Sequence, residues 1–443
     1  MKTIIIGGTA AGTSAAVKVQ KMAEAPEVVI YEKGELVSFG ACGLPYFVGD
    51  FFTDQNKMIA RSKEAFEKQG ITIQLHHEVT AVDTVAKKVT VKNLETGEEF
   101  SDSYDKLMIA SGSRVIMPPV DRVDFDNLFT LKTMADGIKV KAALEDPAVK
   151  NVTVVGGGFI GIEFTEALLH QGKSVRIIQL DDRLMKDSFD EEFTELLENK
   201  MAKAAVDVRV GEAVTGFEGK THIDAVVTNK GRYETDLVLV AIGVRPANDF
   251  LGAEFAKLKN GALIVDEQGR TNVSDVWAAG DNATVKHQVT GEDKYFPLAT
   301  GANKLGRIAG ESIAGGEVNY PGTLGTSGVK FTDLELARTG LTEADAKNLG
   351  LNYKAIVIDD KNQTDYYPGQ KDIRVKLVYE KETRRLLGGQ IGGEKGAALR
   401  IDVLAAAIAA KMTTADLGML DLMYAPPFAR TWDVLNIAGN VAK

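Results

Sequence analysis

Thr3-Ile4-Ile5-Ile6-Gly7-Gly8-Thr9-Ala10-Ala11-Gly12 is the stretch from which the rest of the chain is read. Residues 3–6 have the apolar, β-branched character of a buried parallel strand, and the glycines turn the chain into an alanine-rich helix running to about Met22. A second strand, Val28 to Tyr31, ends in Glu32, twenty residues past Gly12. In this register the loop lets a pyrophosphate approach the helix N-terminus, and the acid takes ribose hydroxyls. The pattern predicts a bound dinucleotide, with Thr9 standing where the motif usually has its middle glycine.

The same pattern begins again at residue 152. Strand Val152-Thr153-Val154-Val155 leads into Gly156-Gly157-Gly158-Phe159-Ile160-Gly161, a helix to about His170 and strand Val175-Arg176-Ile177-Ile178. The second loop starts 149 residues after the first, Gly156 against Gly7. Two such loops imply two nucleotides, most economically a tightly held flavin and an exchangeable nicotinamide. The second strand ends in Gln179, and without a carboxylate there the rejection of a 2′-phosphate weakens. Asp181 and Asp182 argue the other way, so NADH and NADPH both stay open.

The only cysteine among 443 residues lies in Ser38-Phe39-Gly40-Ala41-Cys42-Gly43-Leu44-Pro45-Tyr46, which begins six residues after Glu32. Gly40 and Gly43 keep bulk away from the sulfur, and Pro45 is placed to start a short helix whose N-terminal amides favour a thiolate. A lone cysteine is ordinarily a small buried hydrophobe; beside a redox-cofactor loop, Cys42 reads as a redox centre. A single cysteine excludes an internal disulfide, and with five scattered histidines no metal site is expected. That usage fits a reducing cytoplasm. A net charge of −10 argues against nucleic acid as a partner, and with no apolar run near about 18 residues none is expected to span a membrane.

Between the loops, residues 51–113 alternate β-patterned runs such as Val89-Thr90-Val91 with turns, before a buried strand that ends in Ala110-Ser111-Gly112. A further buried strand ends in Gly243, and Pro118-Pro119 and Arg245-Pro246 read as linkers. Val276-Trp277-Ala278-Ala279-Gly280-Asp281 is a strand ending in Gly-Asp. Its aspartate either takes a hydroxyl of a flavin ribityl chain or caps the next helix. From about residue 320 no glycine loop recurs, and strands near 328–331 and 373–379 precede an alanine-rich helix near 400–411, as in a separate α+β domain.

Two dinucleotide loops, the Gly280-Asp281 strand end and this C-terminal domain resemble the pyridine nucleotide-disulfide oxidoreductases from end to end. The single cysteine is similar to that of the branch comprising NADH oxidase, NADH peroxidase and coenzyme A-disulfide reductase. Cys42-Gly43-Leu44-Pro45-Tyr46, Tyr366-Tyr367-Pro368-Gly369, Arg400-Ile401-Asp402-Val403 and Tyr424-Ala425-Pro426-Pro427 most resemble the reductase. The oxidase and peroxidase carry a histidine inside the first loop, where this chain has Ala10.

The resemblance implies an α/β fold of two Rossmann-like dinucleotide-binding domains plus a C-terminal α+β dimerisation domain. FAD falls to 1–113 and 246–320, NAD(P)H to 114–245 and dimerisation to 321–443. It implies Cys42, Tyr366 and Tyr424 as catalytic residues, Tyr424 reaching the active site of the other subunit in a homodimer. Implied cofactor contacts are Gly7, Gly8, Ala10, Ala11, Gly12, Glu32, Lys33, Val79, Ala110, Gly112, Gly156, Gly158, Phe159, Ile160, Gly161, Glu163, Gln179, Gly243, Gly280, Asp281 and Ala299. Coenzyme A is placed near Ser14, Lys18, Lys21, Ser38, Ala41, Arg61 and Asn303, with Lys18, Lys21 and Arg61 as cations for its phosphates; Ala41 replaces the family's asparagine. The expected activity is FAD-dependent, NAD(P)H-driven reduction of coenzyme A disulfide, or of a related small disulfide or persulfide. Two alternatives stand beside it: an NAD(P)H oxidase reducing oxygen to water through a Cys42 sulfenate, and a redox-sensing flavoprotein without turnover.

Overall fold

The computed structural model describes residues 1–121 and 123–443, which form two compact units. The first comprises Met1–Leu44, Thr53–Ile116 and Val244–Thr323; the second comprises Pro45–Phe52, Met117–Gly243 and Leu324–Lys443. Among the described residues no helix is long and apolar enough to cross a membrane.

In the first unit, strand Lys2–Ile6 is the centre of a five-stranded parallel sheet, with Glu27–Tyr31 and then Ile71–Gln74 on one side and Lys106–Ile109 and then Val276–Ala278 on the other. Helix Ala10–Met22 covers it, and Ile4 and Ile5 are fully buried, which is why the strand is apolar at every position rather than alternating. The second unit repeats the plan. Strand Asn151–Val155 is flanked by Ser174–Gln179 and Asp207–Val210 on one side and by Leu237–Val240 and Leu128–Phe129 on the other, all parallel, with helix Phe159–His170 following its loop. Each parallel sheet also has a three-stranded antiparallel companion in its unit, at 77–103 and at 214–234.

Sterics force the first glycine of each loop. Gly7 has φ +100° and a Cβ there would lie 2.2 Å from the Ala110 carbonyl oxygen; Gly156 has φ +114° and its Cβ would lie 2.3 Å from that of Ala241. No other residue fits so close to a neighbouring strand end.

The remainder of the second unit is a five-stranded antiparallel sheet, Ser327–Phe331, Leu334–Gly340, Leu386–Gly393, Asp372–Glu380 and Tyr353–Lys361 in spatial order, with helices Ile401–Ala409 and Val434–Val441. Arg245-Pro246 departs from the linker reading: Val244–Pro246 pairs antiparallel with Ser113–Val115 as a two-stranded ribbon, and Pro246 is tolerated because it ends the strand.

Candidate active site

The first glycine loop is braced by the acid that follows it. Glu32 Oε2 accepts from the Gly8 amide and Oε1 from the Gly34 amide, each at 2.7 Å, which fixes the carboxylate while leaving lone pairs for ribose hydroxyls. The Ser38 amide donates to the Gly8 carbonyl at 2.8 Å, and the Gly40 amide to that of Met58 at 2.8 Å. These bonds lay the cysteine segment along the loop. Cys42 is exposed, inside the 3₁₀ turn Ala41–Gly43, and helix Leu44–Val48 follows with Pro45 in its first turn.

Gly280 and Asp281 reach the same loop from the far end of the sequence. A Cβ on Gly280 would stand 3.2 Å from that of Ala11, and Ser113 Oγ donates to Asp281 Oδ2 at 2.9 Å. The next helix, Ala299–Ile313, has Leu298 at its N-cap, so the capping alternative for Asp281 falls. Ala110 and Val79 are buried at strand positions, Ala299 is exposed at the head of its helix, and Lys33 is exposed 3.9 Å from Glu78.

Of the residues placed near coenzyme A, Ser14 and Asn303 meet: the serine hydroxyl donates to the amide oxygen at 3.1 Å. Lys18 lies 2.9 Å from Glu311, which answers its charge locally, whereas Lys21 and Arg61 remain exposed, the latter with its guanidinium 5.0 Å from the centre of the Phe66 ring.

The second loop repeats the bracing with a different residue. Gln179 Oε1 accepts from the Gly157 amide at 2.7 Å, the same bond that Glu32 makes to Gly8. Gln179 Nε2 then donates to Asp181 Oδ2 at 2.6 Å, so a carboxylate is held near the strand end although residue 179 is not an acid. Asp182 points to Lys186, and Arg183 spends a donor on the Phe189 carbonyl. Gly158 and Gly112 have nothing within 4 Å of where a Cβ would stand. Open glycines above sterically required ones form a cradle suited to a pyrophosphate, so the residues present fit a dinucleotide at each loop.

Three features were not foreseen from the sequence. The first is a clamp on the end of helix Leu44–Val48: Lys141 Nζ donates to the Phe47 carbonyl, Gln171 Nε2 to that of Val48, and His170 Nδ1 lies 2.8 Å from that of Gly49. Lys141 also pairs with Asp50, and His170 stacks on Phe51. These side chains satisfy carbonyls that a helix end leaves without partners. The second is a bond from the Tyr46 hydroxyl to Glu163 Oε1 at 3.2 Å; burial pushes the Glu163 carboxyl up to about 7. The third is the meeting of Tyr366 and Tyr424, whose hydroxyls lie 2.7 Å apart within one chain. Tyr424 raises the Tyr366 phenol above its ordinary value, and both rings are exposed, at 69% and 41%. The only forewarning was that each tyrosine of the last pair precedes a proline turn.

Two dinucleotide loops with one exposed cysteine tied to the first define a flavin- and nicotinamide-dependent oxidoreductase acting through sulfur. Comparison with known proteins agrees. Residues 1–306 match the family model described as pyridine nucleotide-disulphide oxidoreductase, and residues 326–434 match the dimerisation domain of that family. The NAD(P)H coenzyme A polysulfide/persulfide reductase of Pyrococcus horikoshii is 39% identical over 445 residues, spanning 100% of this chain and 98% of the relative. An NADH oxidase of Enterococcus faecalis is 34% identical over 446 residues, 100% of this chain and 99% of the relative. Among solved structures, the water-forming NADH oxidase of Lactobacillus brevis bound to NADH is 33% identical with a TM-score of 0.96, covering 100% of this chain and 98% of that one. The chain belongs to the pyridine nucleotide-disulphide oxidoreductase family and carries its dimerisation domain.

Proposed function

We propose that the protein is an FAD-dependent NAD(P)H oxidoreductase that reduces coenzyme A disulfide, or the corresponding persulfide, through Cys42 alone. The observation that carries this reading is the exposed Cys42, in a segment tied by Ser38 to the first dinucleotide loop. Gly7, Gly8, Gly12, Glu32 and Asp281 would hold FAD, and Gly156, Gly158, Gly161 and the Gln179-Asp181 pair would hold NAD(P)H. Bound together, the two cofactors supply the electron pair that reduces a disulfide on Cys42 and frees its second partner. The protein's own step precedes this: the Cys42 thiolate attacks one substrate sulfur, the substrate S–S bond breaks, a mixed disulfide forms and one coenzyme A thiolate departs. One protein sulfur suffices because the substrate supplies the other. Tyr366 and Tyr424, hydrogen-bonded to each other, hand that thiolate its proton.

The tyrosine pair serves the partner's Cys42 in a two-fold dimer. Leu399, Met419, Met423, Phe428 and Trp432, all exposed in the single chain, supply the kind of apolar surface that a second copy covers. Without oxygen, the wild type should consume one NAD(P)H and release two thiols per disulfide. Subunit exchange between Cys42→Ser and Tyr424→Phe parents should give a heterodimer with one doubly defective and one intact site, recovering about half of wild-type activity per heterodimer. No recovery after verified exchange would place Tyr424 at its own chain's site or outside the chemistry. The NADH oxidase reading, favoured by the Enterococcus relative, requires NAD(P)H consumption that tracks oxygen with no disulfide present.

Asp181, anchored by Gln179, is the carboxylate that disfavours a 2′-phosphate. Asp181→Asn should lower the NADH-to-NADPH ratio of kcat/KM by ~10-fold, the equivalent of about 1.4 kcal/mol. An unchanged ratio would remove Asp181 from coenzyme choice. Gln179→Glu is a poor probe, since it sets two carboxylates within hydrogen-bond reach and forces one to stay protonated.

A further inference from the structure

Glu163 lies in the second turn of helix Phe159–His170, which opens at the second glycine loop, and it is only partly exposed. Its surroundings are unusual for a carboxyl. The one donor resolved on it is the Tyr46 hydroxyl at 3.2 Å, from the helix that follows the cysteine turn. Glu166, buried one turn further along the same helix, adds like charge, and Lys330 from strand Ser327–Phe331 reaches Glu166 at 3.5 Å rather than Glu163. The other charged groups on neighbouring elements are spent elsewhere: Arg176 on Asp207, Lys141 on Asp50. His170 at the helix end faces the Gly49 carbonyl. Glu163 is therefore a carboxyl without a cation partner among the contacts of its helix, steadied by one phenol.

We propose that Glu163 is the proton-exchanging group of the nicotinamide site and that Tyr46 is the positioning residue that sets its ionisation. This rests on the reading that the second loop holds the coenzyme. The nicotinamide ring gains a positive charge when it gives up hydride, so a nearby carboxylate favours the oxidised coenzyme and a neutral carboxyl the reduced one. A group poised near neutrality takes up a proton when reduced coenzyme is bound and gives it up after oxidation. The sign of each neighbour is set: burial raises the Glu163 pKa, Tyr46 lowers it by donating to the carboxylate, and Glu166 raises it.

The test uses the flavin-loaded protein and two readouts. Carboxyl ¹³C resonances of glutamate-labelled protein are titrated without coenzyme, and NAD⁺ affinity is measured by calorimetry across the same pH range. A Glu163 inflection near 7 should appear in both, with NAD⁺ binding tighter above it. Tyr46→Phe should move the inflection up by about half a unit to one unit, the scale of one hydrogen bond, and Glu166→Gln should move it down. Glu163→Gln should erase it. An inflection in NAD⁺ affinity that survives Glu163→Gln, or one that Tyr46→Phe leaves in place, overturns the proposal. A carboxyl that titrates near 7 while NAD⁺ binding stays level with pH overturns it while leaving the nicotinamide site intact. Failure to bind NAD⁺ at any pH instead removes the functional reading beneath it.

Discussion

Cys42→Ser should keep its flavin and its affinity for NAD(P)H and lose coenzyme A disulfide reduction by about 10³-fold or more. Serine preserves the size and the exposure of the side chain in the Ala41–Gly43 turn, so the loop bonds from Ser38 and Gly40 have no reason to change. It removes the one atom that can be both nucleophile and disulfide partner. An alkoxide at neutral pH is scarce, and it forms no bond that an electron pair from the flavin can return to the starting state. Losses of this size are ordinary when the nucleophile of a covalent mechanism is removed. Stopped-flow absorbance of the flavin separates the two halves: bleaching by NAD(P)H should survive, and reoxidation by coenzyme A disulfide should not. Wild-type reoxidation rates in the variant would exclude Cys42 from the chemistry.

Lys376→Met should destabilise the folded protein by about 3–5 kcal/mol near neutral pH, far more than a typical surface substitution. Lys376 is 2% exposed on strand Asp372–Glu380, and its ammonium lies 2.7 Å from Glu343, 2.8 Å from Glu192 and 3.2 Å from Asp190. Burial opposes its charge, but Glu192, Glu343 and Asp190 outweigh that and push its pKa up to about 12. Because the folded value is raised, the contribution is complete below the ordinary lysine range and fades only as pH climbs through about 12. Between pH 5 and 8 the wild-type term is therefore constant. In the variant, three clustered carboxylates lose their cation, their pKa values rise above those of the unfolded chain, and acid relieves the strain. Unfolding measured at pH 8 and at pH 5.5 should show a larger deficit at the higher pH. A deficit below about 1 kcal/mol at both would mean that the cluster is solvated and contributes like a surface pair.

Much of the fold was legible because sterics leave few options. Gly7 and Gly156 sit where a neighbouring strand end excludes any side chain, so the loops announce themselves, and the apolar runs beside them are central strands. Cys42 and the Gly280-Asp281 strand end were readable for the same reason: short motifs at fixed distance from a recognisable turn. What escaped was long-range pairing. Lys376, between Val375 and Leu377, reads as the outward residue of an alternating strand, and only the packing of helix Glu191–Lys203 shows that it is enclosed. Asp181 was visible, but its anchoring through Gln179 was not, because glutamine does in the second loop the backbone work that Glu32 does in the first. Tyr46 and Glu163 lie 117 residues apart, and no local pattern links them. Tyr366 and Tyr424 were read as separate motifs, though their 2.7 Å contact makes them one unit.

The most direct measurement is the mass of the intact, unreduced protein after it has met coenzyme A disulfide with NAD(P)H limiting and oxygen excluded. An adduct of coenzyme A mass confined to the peptide holding Cys42, and cleared by excess NAD(P)H, is the expected result. Coenzyme A disulfide consumed with no adduct, or a gain of one oxygen on Cys42 during turnover in air without disulfide, would contradict reduction through a Cys42 mixed disulfide.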